Sequence, residues 1–69
     1  MKRYSKGAHV TWLWGKGTAE GTVDEVIEKD ITRVIKGSEV SRHGSPKNPA
    51  YVIKQVDGTL VLKLHSELN

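Results

Sequence analysis

The chain has 69 residues, no cysteine and a formal net charge of +3. This length allows one small domain, and the lack of cysteine excludes a disulfide framework and thiolate chemistry. No run approaches the roughly 20 apolar residues that a membrane-spanning helix needs, and the charged first residues lead into no signal-peptide pattern. We therefore expect a cytoplasmic protein.

The charges are banded along the chain. Residues 1–18 hold four basic and no acidic side chains, residues 19–30 hold five acidic and one basic, and residues 31–56 hold five basic and one acidic. Such alternation is typical of strands that attract one another across a sheet. A nucleic-acid module more often carries one continuous basic stripe.

Glycine and proline recur at short intervals, which is typical of an all-β chain of short strands. Apolar periodicity predicts strands at about 8–14, 19–28, 31–36, 39–43, 50–56 and 59–64. A short helical turn is predicted at 66–68, with Ser66 as its N-cap. Residues 1–6 are predicted to be a flexible N-terminal tail, and residues 7–69 a single domain.

The dipeptide Asp57-Gly58 between two apolar runs predicts the last hairpin, with a type I′ turn. The resulting register places Ile53 opposite Leu62. One face, predicted to be the core, then carries Tyr51, Ile53, Leu60, Leu62 and Leu64. The opposite face is predicted to be mostly solvated and carries Val52, Lys54, Val56, Thr59, Val61 and Lys63.

The dipeptide Gly37-Ser38 predicts another hairpin, with a type II′ turn because glycine takes the first turn position. This register places Lys36 opposite Glu39, a favourable pair, and Arg33 opposite Arg42. The two arginines are tolerable only if both are solvated or an anion lies between them.

The second strand is predicted to bend. Ala19, Gly21 and Val23 share a face, and Val26 breaks this parity, which indicates a β-bulge near 24–25. Small barrels turn their corners with such bulges and glycines. The chain is therefore predicted to be all-β, a small SH3-like barrel of five to six short antiparallel strands. An OB-type barrel usually needs more residues and a longer helix.

A series of motifs runs in a specific order along nearly the whole chain. It comprises Gly7, Val10-x-Trp12-x-Trp14-Gly15, Gly17-Thr18-Ala19-x-Gly21-Thr22-Val23, Thr32-Arg33-x-Ile35-Lys36-Gly37, Asn48-Pro49-Ala50-Tyr51, Ile53-Lys54, Asp57-Gly58 and Leu62-Lys63-Leu64-x-Ser66-Glu67-Leu68. In these motifs the chain resembles the hypervirulence-associated Tudor-like domain family of bacteria and fungi. The resemblance implies an SH3-like, Tudor-type barrel. It implies no reaction, ligand or catalytic residue, because a fold does not by itself define a function.

The aromatic residues Trp12, Trp14 and Tyr51 are the first candidate ligand-binding residues. One hypothesis places them at one mouth of the barrel, where their faces would bind a methylated ammonium by cation–π attraction, as in Tudor relatives. Aromatic residues at period two are usually core, so the alternative is that Trp12 and Tyr51 fill the core and Trp14 closes one end. An exposed Trp14 would still stack on a base or cap a proline-rich peptide.

Basic residues around the second hairpin form the other candidate site, with Arg33, Lys36 and Arg42 at its centre and His43 and Lys47 nearby. Arginines on an exposed hairpin suit phosphate oxygens. The alternative is ordinary solvated charge that protects the strand edges from aggregation.

The sequence gives little support for an enzyme. The glycine-rich run 15–21 lacks the spacing of a dinucleotide-binding fingerprint, and a strand follows it where a phosphate site needs a helix N-terminus. His9, His43 and His65 are scattered, without the short spacing of metal ligands. We expect no catalytic residue, no metal site and no cofactor.

The expected function is a non-enzymatic binding module that engages a flexible peptide or a nucleic-acid strand through the aromatic mouth and the basic hairpin. The alternative is a structural or self-association module that pairs through an edge strand with itself or with a larger protein. No membrane partner is expected. The sequence leaves the oligomeric state open, with the monomer favoured.

Overall fold

A computed structural model of the chain describes residues 3–69. This part of the chain forms six strands, here named β1 to β6, at His9–Trp14, Gly17–Ile27, Asp30–Ile35, Ser38–His43, Ala50–Lys54 and Leu60–Leu64. One antiparallel sheet has the order β1-β2-β5-β6, and β3 and β4 form a second sheet. The all-β class and the six short antiparallel strands predicted from the sequence are confirmed.

The first hairpin joins β1 to β2, and β2 bends where the sequence predicts a bulge. Trp14 lies opposite Gly17, so the turn consists of Gly15 and Lys16, with a positive φ of 56° at Gly15 alone. A positive φ at only the first position is typical of a type II′ turn. The pairing of β2 with β5 shifts between Val23 and Glu25, which confirms the predicted bulge. The bulge bends β2, which pairs with β1 over residues 17–22 and with β5 over residues 22–27.

The β3–β4 hairpin has a different register from the one predicted. Ile35 lies opposite Ser38, so the turn is Lys36-Gly37, with φ of 51° and 77°. Two positive φ values are typical of a type I′ turn, in which glycine takes the second position. The predicted type II′ turn is therefore wrong. The observed register places Arg33 opposite Val40 and avoids the opposition of two arginines.

The β5–β6 hairpin is shifted by one residue from the prediction. Its turn is the three-residue segment 56–58, in which the Gly58 N–H donates to the Gln55 carbonyl at 2.9 Å and Gly58 has φ of 88°. This is a type I turn followed by a left-handed glycine, and the Asp57 carboxylate stabilises it by accepting the Thr59 N–H at 2.9 Å. The extra turn residue pairs Val52 with Leu62 and Ile53 with Val61.

The shift changes the core, because β5 is buried on both faces. Tyr51 and Ile53 face one apolar cluster, completed by Val10, Trp12 and Val23. Ala50, Val52 and Leu62 form a second cluster on the other face, covered by Ile31, Ile35 and Val40 of the β3–β4 hairpin. The prediction that Val52 is solvated and Leu60 is core is wrong, because their exposed fractions are 2% and 37%.

A 3₁₀ turn at His65–Glu67 follows β6, one residue earlier than predicted. Ser66 is not its N-cap: the Ser66 N–H donates to Asn48 Oδ1 at 3.0 Å. Glu67 instead closes the turn, because its carboxylate accepts the Leu64 N–H at 2.9 Å.

The two terminal segments lie against the barrel and against each other. The Tyr4 N–H donates to the Tyr51 hydroxyl at 3.1 Å, and the Tyr4 hydroxyl donates to the Asn69 carbonyl at 3.0 Å. The Asn69 N–H donates to the Thr11 carbonyl at 2.9 Å. Of the predicted flexible tail, Met1 and Lys2 lie outside the described residues, and the mobility of the tail stays a prediction. Residues 3–69 contain no helix long and apolar enough to cross a membrane.

A candidate binding groove at the three hairpin turns

The ends of the three hairpins meet at a groove with a volume of about 270 Å³. Its floor is apolar and is formed by Trp12, Ala19 and Val61. Its rim combines one aromatic ring with polar and charged side chains, namely Trp14, Lys36, Gln55, Asp57 and Lys63. The β1–β2, β3–β4 and β5–β6 hairpins all contribute to it, so the groove depends on the folded arrangement of the whole chain.

The aromatic candidates separate into exposed and buried residues. Trp14 is 73% exposed at the rim, whereas Trp12 is 2% exposed and belongs to the core. Tyr51 is fully buried, and its hydroxyl hydrogen-bonds to His65 Nδ1 at 2.9 Å. The structure therefore brings Trp12 and Trp14 to the groove and leaves Tyr51 in the core, so the groove presents one broad aromatic face.

Lys36 reaches the groove from the turn of the β3–β4 hairpin. It is the one non-glycine residue with a positive φ among residues 3–69. A side chain with this backbone conformation costs roughly 1–2 kcal/mol relative to the usual regions. Lys36 also faces Asp57 across the groove. The pKa of Asp57 is lowered mainly because the Thr59 backbone N–H donates to its carboxylate, and the positive charge of Lys36 lowers it further.

The structure places the other two basic candidates away from the groove, each in an ion pair within the chain. Arg33 Nη1 lies 3.0 Å from Glu25 Oε2, and Arg42 Nε lies 2.8 Å from Glu67 Oε1. These pairs connect the β3–β4 hairpin to β2 and to the 3₁₀ turn. Arg33 and Arg42 therefore link the hairpin that covers the second apolar cluster to the rest of the domain.

The Arg42 pair is reflected in the titration of Glu67. Partial burial is the largest single influence and raises the pKa of Glu67, but the hydrogen bonds from Arg42 and the Leu64 N–H and the charges of Arg42 and Lys63 together lower it by more. The net result is a pKa below the ordinary value of 4.5. The Glu67 carboxylate is thus held ionised by the groups that it joins.

Five groove residues are not among the candidates that the sequence offers, namely Ala19 and Val61 on the floor and Gln55, Asp57 and Lys63 on the rim. The sequence predicts Asp57 only as a turn residue and Lys63 only as a member of the solvated face of the last hairpin. Their turn and strand positions were readable from the sequence, but their approach to Trp14 depends on how three hairpins pack. The described residues 3–69 contain no cluster of three or more His, Cys, Asp or Glu side chains placed to hold a metal ion.

Comparison with known proteins assigns the family. Neither the curated proteins nor the solved structures gave a match to this chain. A family model described as the TUDOR domain of hypervirulence associated proteins matches residues 7–68. That range contains all six strands, the 3₁₀ turn and every side chain that lines the groove. The chain therefore belongs to the family of TUDOR domains of hypervirulence associated proteins.

Proposed function

We propose that this protein is a non-enzymatic binding module that holds a flexible strand, a peptide or a nucleic acid, in the groove at the three hairpin turns. The observation that carries the proposal is the 73% exposure of Trp14 at the rim of a groove with an apolar floor. Exposed indoles beside concave apolar surfaces are typical of ligand-binding sites, because the ring offers a large contact area at a low entropy cost.

A peptide fits the groove best. The apolar floor suits a side chain of the ligand, and Lys36 on the rim suits a neighbouring carboxylate of the ligand. The guanidinium groups that would favour phosphate by bidentate contacts already pair with glutamates, as Arg33 and Arg42 show. The groove is therefore better suited to an acidic peptide with an apolar or aromatic anchor than to a phosphate backbone.

A nucleic-acid strand is the second candidate, and the distribution of free charge favours it. Within residues 3–69, each arginine pairs with a glutamate. By contrast, the same part of the chain has six lysines without a carboxylate within 4.0 Å, namely Lys6, Lys16, Lys29, Lys36, Lys47 and Lys54. Lysine binds phosphate as a point charge, and Trp14 would supply the stacking face that single strands use.

The chemistry of the groove supports a role without catalysis. Among residues 3–69, Asp57 is the one carboxylate that lines the groove, and its lowered pKa makes it a weak general base. No histidine or hydroxyl side chain accompanies Asp57 among the groove-lining residues that the structure describes. Tudor-type domains are in general binding folds, and the family match extends that expectation to this chain.

The test is an amide-correlation NMR titration that also follows the two indole N–H signals. One sample receives a pool of acidic peptides that contain an aromatic residue, and another receives mixed single-stranded RNA and DNA, each at low and at moderate salt. We expect the Trp14 indole and the Lys36 amide to shift and the buried Trp12 indole to move less. The Trp14→Ala variant, which leaves the core intact, is the control.

The two pools distinguish the two ligand classes. Shifts with peptides that persist at moderate salt support the peptide. Shifts with oligonucleotides that fade as salt rises support the nucleic acid, because phosphate contacts release counterions. If neither pool moves the Trp14 indole at low salt, the proposed function is wrong.

A further inference from the structure

The outer edge of β1 lacks the protection that strand edges usually carry. β1 is an outer strand of the four-stranded sheet and reads His-Val-Thr-Trp-Leu-Trp, without lysine, arginine, acid or proline. Exposed edges are normally blunted by charges, proline or bulges, because their free backbone groups pair with other strands. The other outer strand, β6, carries Lys63 and has β4 packed near it.

The direction of the β1 backbone follows from one hydrogen bond. The Thr11 carbonyl accepts the Asn69 N–H at 2.9 Å, so it points away from β2. In an antiparallel ladder the N–H and C=O groups of alternate residues point to the same side. Leu13, two residues after Thr11, therefore also directs its N–H and C=O outward. Within residues 3–69, no segment outside the strand ladder hydrogen-bonds to the Leu13 backbone.

The side chains beside this open position are apolar and exposed. Leu13 is 74% exposed and Trp14 is 73% exposed. They are neighbours in a strand, so they lie on opposite faces of the sheet. An added strand would find a large apolar side chain on each face of the edge, and burying both would favour its addition.

We infer that β1 pairs with β1 of a second copy of this chain, antiparallel and about a twofold axis at Leu13. Each Leu13 N–H then donates to the Leu13 carbonyl of the other copy, and Trp12 of one copy lies opposite Trp14 of the other. Such a pair is self-complementary, as a twofold interface requires. Cross-strand aromatic pairs stabilise sheets, and the segment 12–14 contains no charge that would repel its copy.

The bound Asn69 limits the pairing and sets its strength. It occupies the Thr11 carbonyl, so the ladder between the copies is confined to the few residues around Leu13. Interfaces this small are weak, and we expect a dissociation constant on the order of 0.1–1 mM. The inference does not rest on the proposed ligand of the groove, since it follows from the β1 edge alone.

The test is sedimentation velocity of the full chain at concentrations from about 10 μM to 1 mM, a range that spans the expected dissociation constant. The wild type should show an average mass that rises with concentration toward that of a dimer. The Leu13→Lys variant should stay monomeric over the whole range. The control is Val56→Lys, which adds the same charge at a residue that is 93% exposed and lies in the β5–β6 turn.

A second measurement keeps the inference testable if Leu13→Lys folds poorly. Hydrogen exchange of the wild-type Leu13 amide should slow at least several-fold between the lowest and highest concentrations, while the amides of the β5–β6 turn stay unchanged. A monomer at the highest concentration would overturn the inference. Equal loss of association in Val56→Lys, or a Leu13 amide that is indifferent to concentration, would also overturn it.

Discussion

A single added methyl group at residue 21 should destabilise the barrel severely. Gly21 lies in β2 opposite Val10, where the strand crosses the first apolar cluster. A Cβ atom there would stand 2.6 Å from Ile53 Cγ2 and 2.8 Å from the Lys54 carbonyl oxygen. Ile53 is fully buried, and the Lys54 oxygen is backbone, so a change of rotamer cannot relieve both contacts.

The magnitude follows from the cost of overpacking. Extra carbon atoms in a packed core typically cost about 1–3 kcal/mol and occasionally more. The backbone contact places Gly21→Ala at the upper end, and we expect a loss of about 3 kcal/mol in the free energy of unfolding. A chain of 69 residues has a total of roughly 3–10 kcal/mol at the usual stability per residue, so the variant would be largely unfolded or close to it.

Urea denaturation followed by tryptophan fluorescence would measure this loss, because Trp12 reports on the same cluster. The matched control is Gly17→Ala, in the same strand. A Cβ atom at Gly17 meets nothing nearer than the Trp14 carbonyl oxygen at 4.0 Å, and Gly17 has no positive φ. The free energy of unfolding of Gly17→Ala should equal that of the wild type or be slightly higher. If Gly21→Ala matched the control, the close packing of β2 on β5 would be wrong.

Three further variants test the core, the strained turn and the ion pair. Trp12→Ala should lose about 3–5 kcal/mol of stability in urea denaturation, whereas Trp14→Ala should stay folded; a stable Trp12→Ala variant would contradict the register of β1. Lys36→Gly should raise the free energy of unfolding by about 1 kcal/mol, because glycine accepts a positive φ without strain, and should weaken peptide binding in the groove. A loss of stability would contradict the strain at Lys36. Because the pKa of Glu67 is lowered in the folded state, its carboxylate stabilises that state when the pH is above 4.5, the ordinary pKa of glutamate. This contribution is lost as the pH falls through the lower folded-state pKa. Glu67→Gln should therefore flatten the acid side of the stability profile, and an unchanged profile would show that the Arg42 pair contributes little.

The parts of the fold that were predictable from the sequence rest on local signals. Alternating apolar residues gave the strands, and the parity change at Val26 revealed the bulge in β2. The register of two hairpins was not predictable in this way. Gly37 suits either position of a two-residue turn, and Gly58 suits both a type I′ turn and a left-handed residue after a type I turn. Tertiary packing decides between them.

The features of the candidate site also separate into those that local sequence signals predict and those that depend on tertiary packing. Trp12, Trp14 and Lys36 were predicted, the tryptophans from their period-two spacing and Lys36 from its place among the basic residues of the second hairpin. The ion pairs of Arg33 and Arg42 were not, since they depend on contacts between separate elements. Arg42 and its partner Glu67 are 25 residues apart in sequence and meet only in the folded chain.

The burial of β5 on both faces determines how the domain unfolds. The strand spans Ala50–Lys54, and its alternating side chains supply both apolar clusters. Neither cluster can open without freeing the strand on which the other depends. The two sheets are therefore thermodynamically coupled. Heat or urea should unfold both of them in a single two-state transition rather than one after the other. The β3–β4 hairpin, though it forms a separate sheet, is then not an independent folding unit.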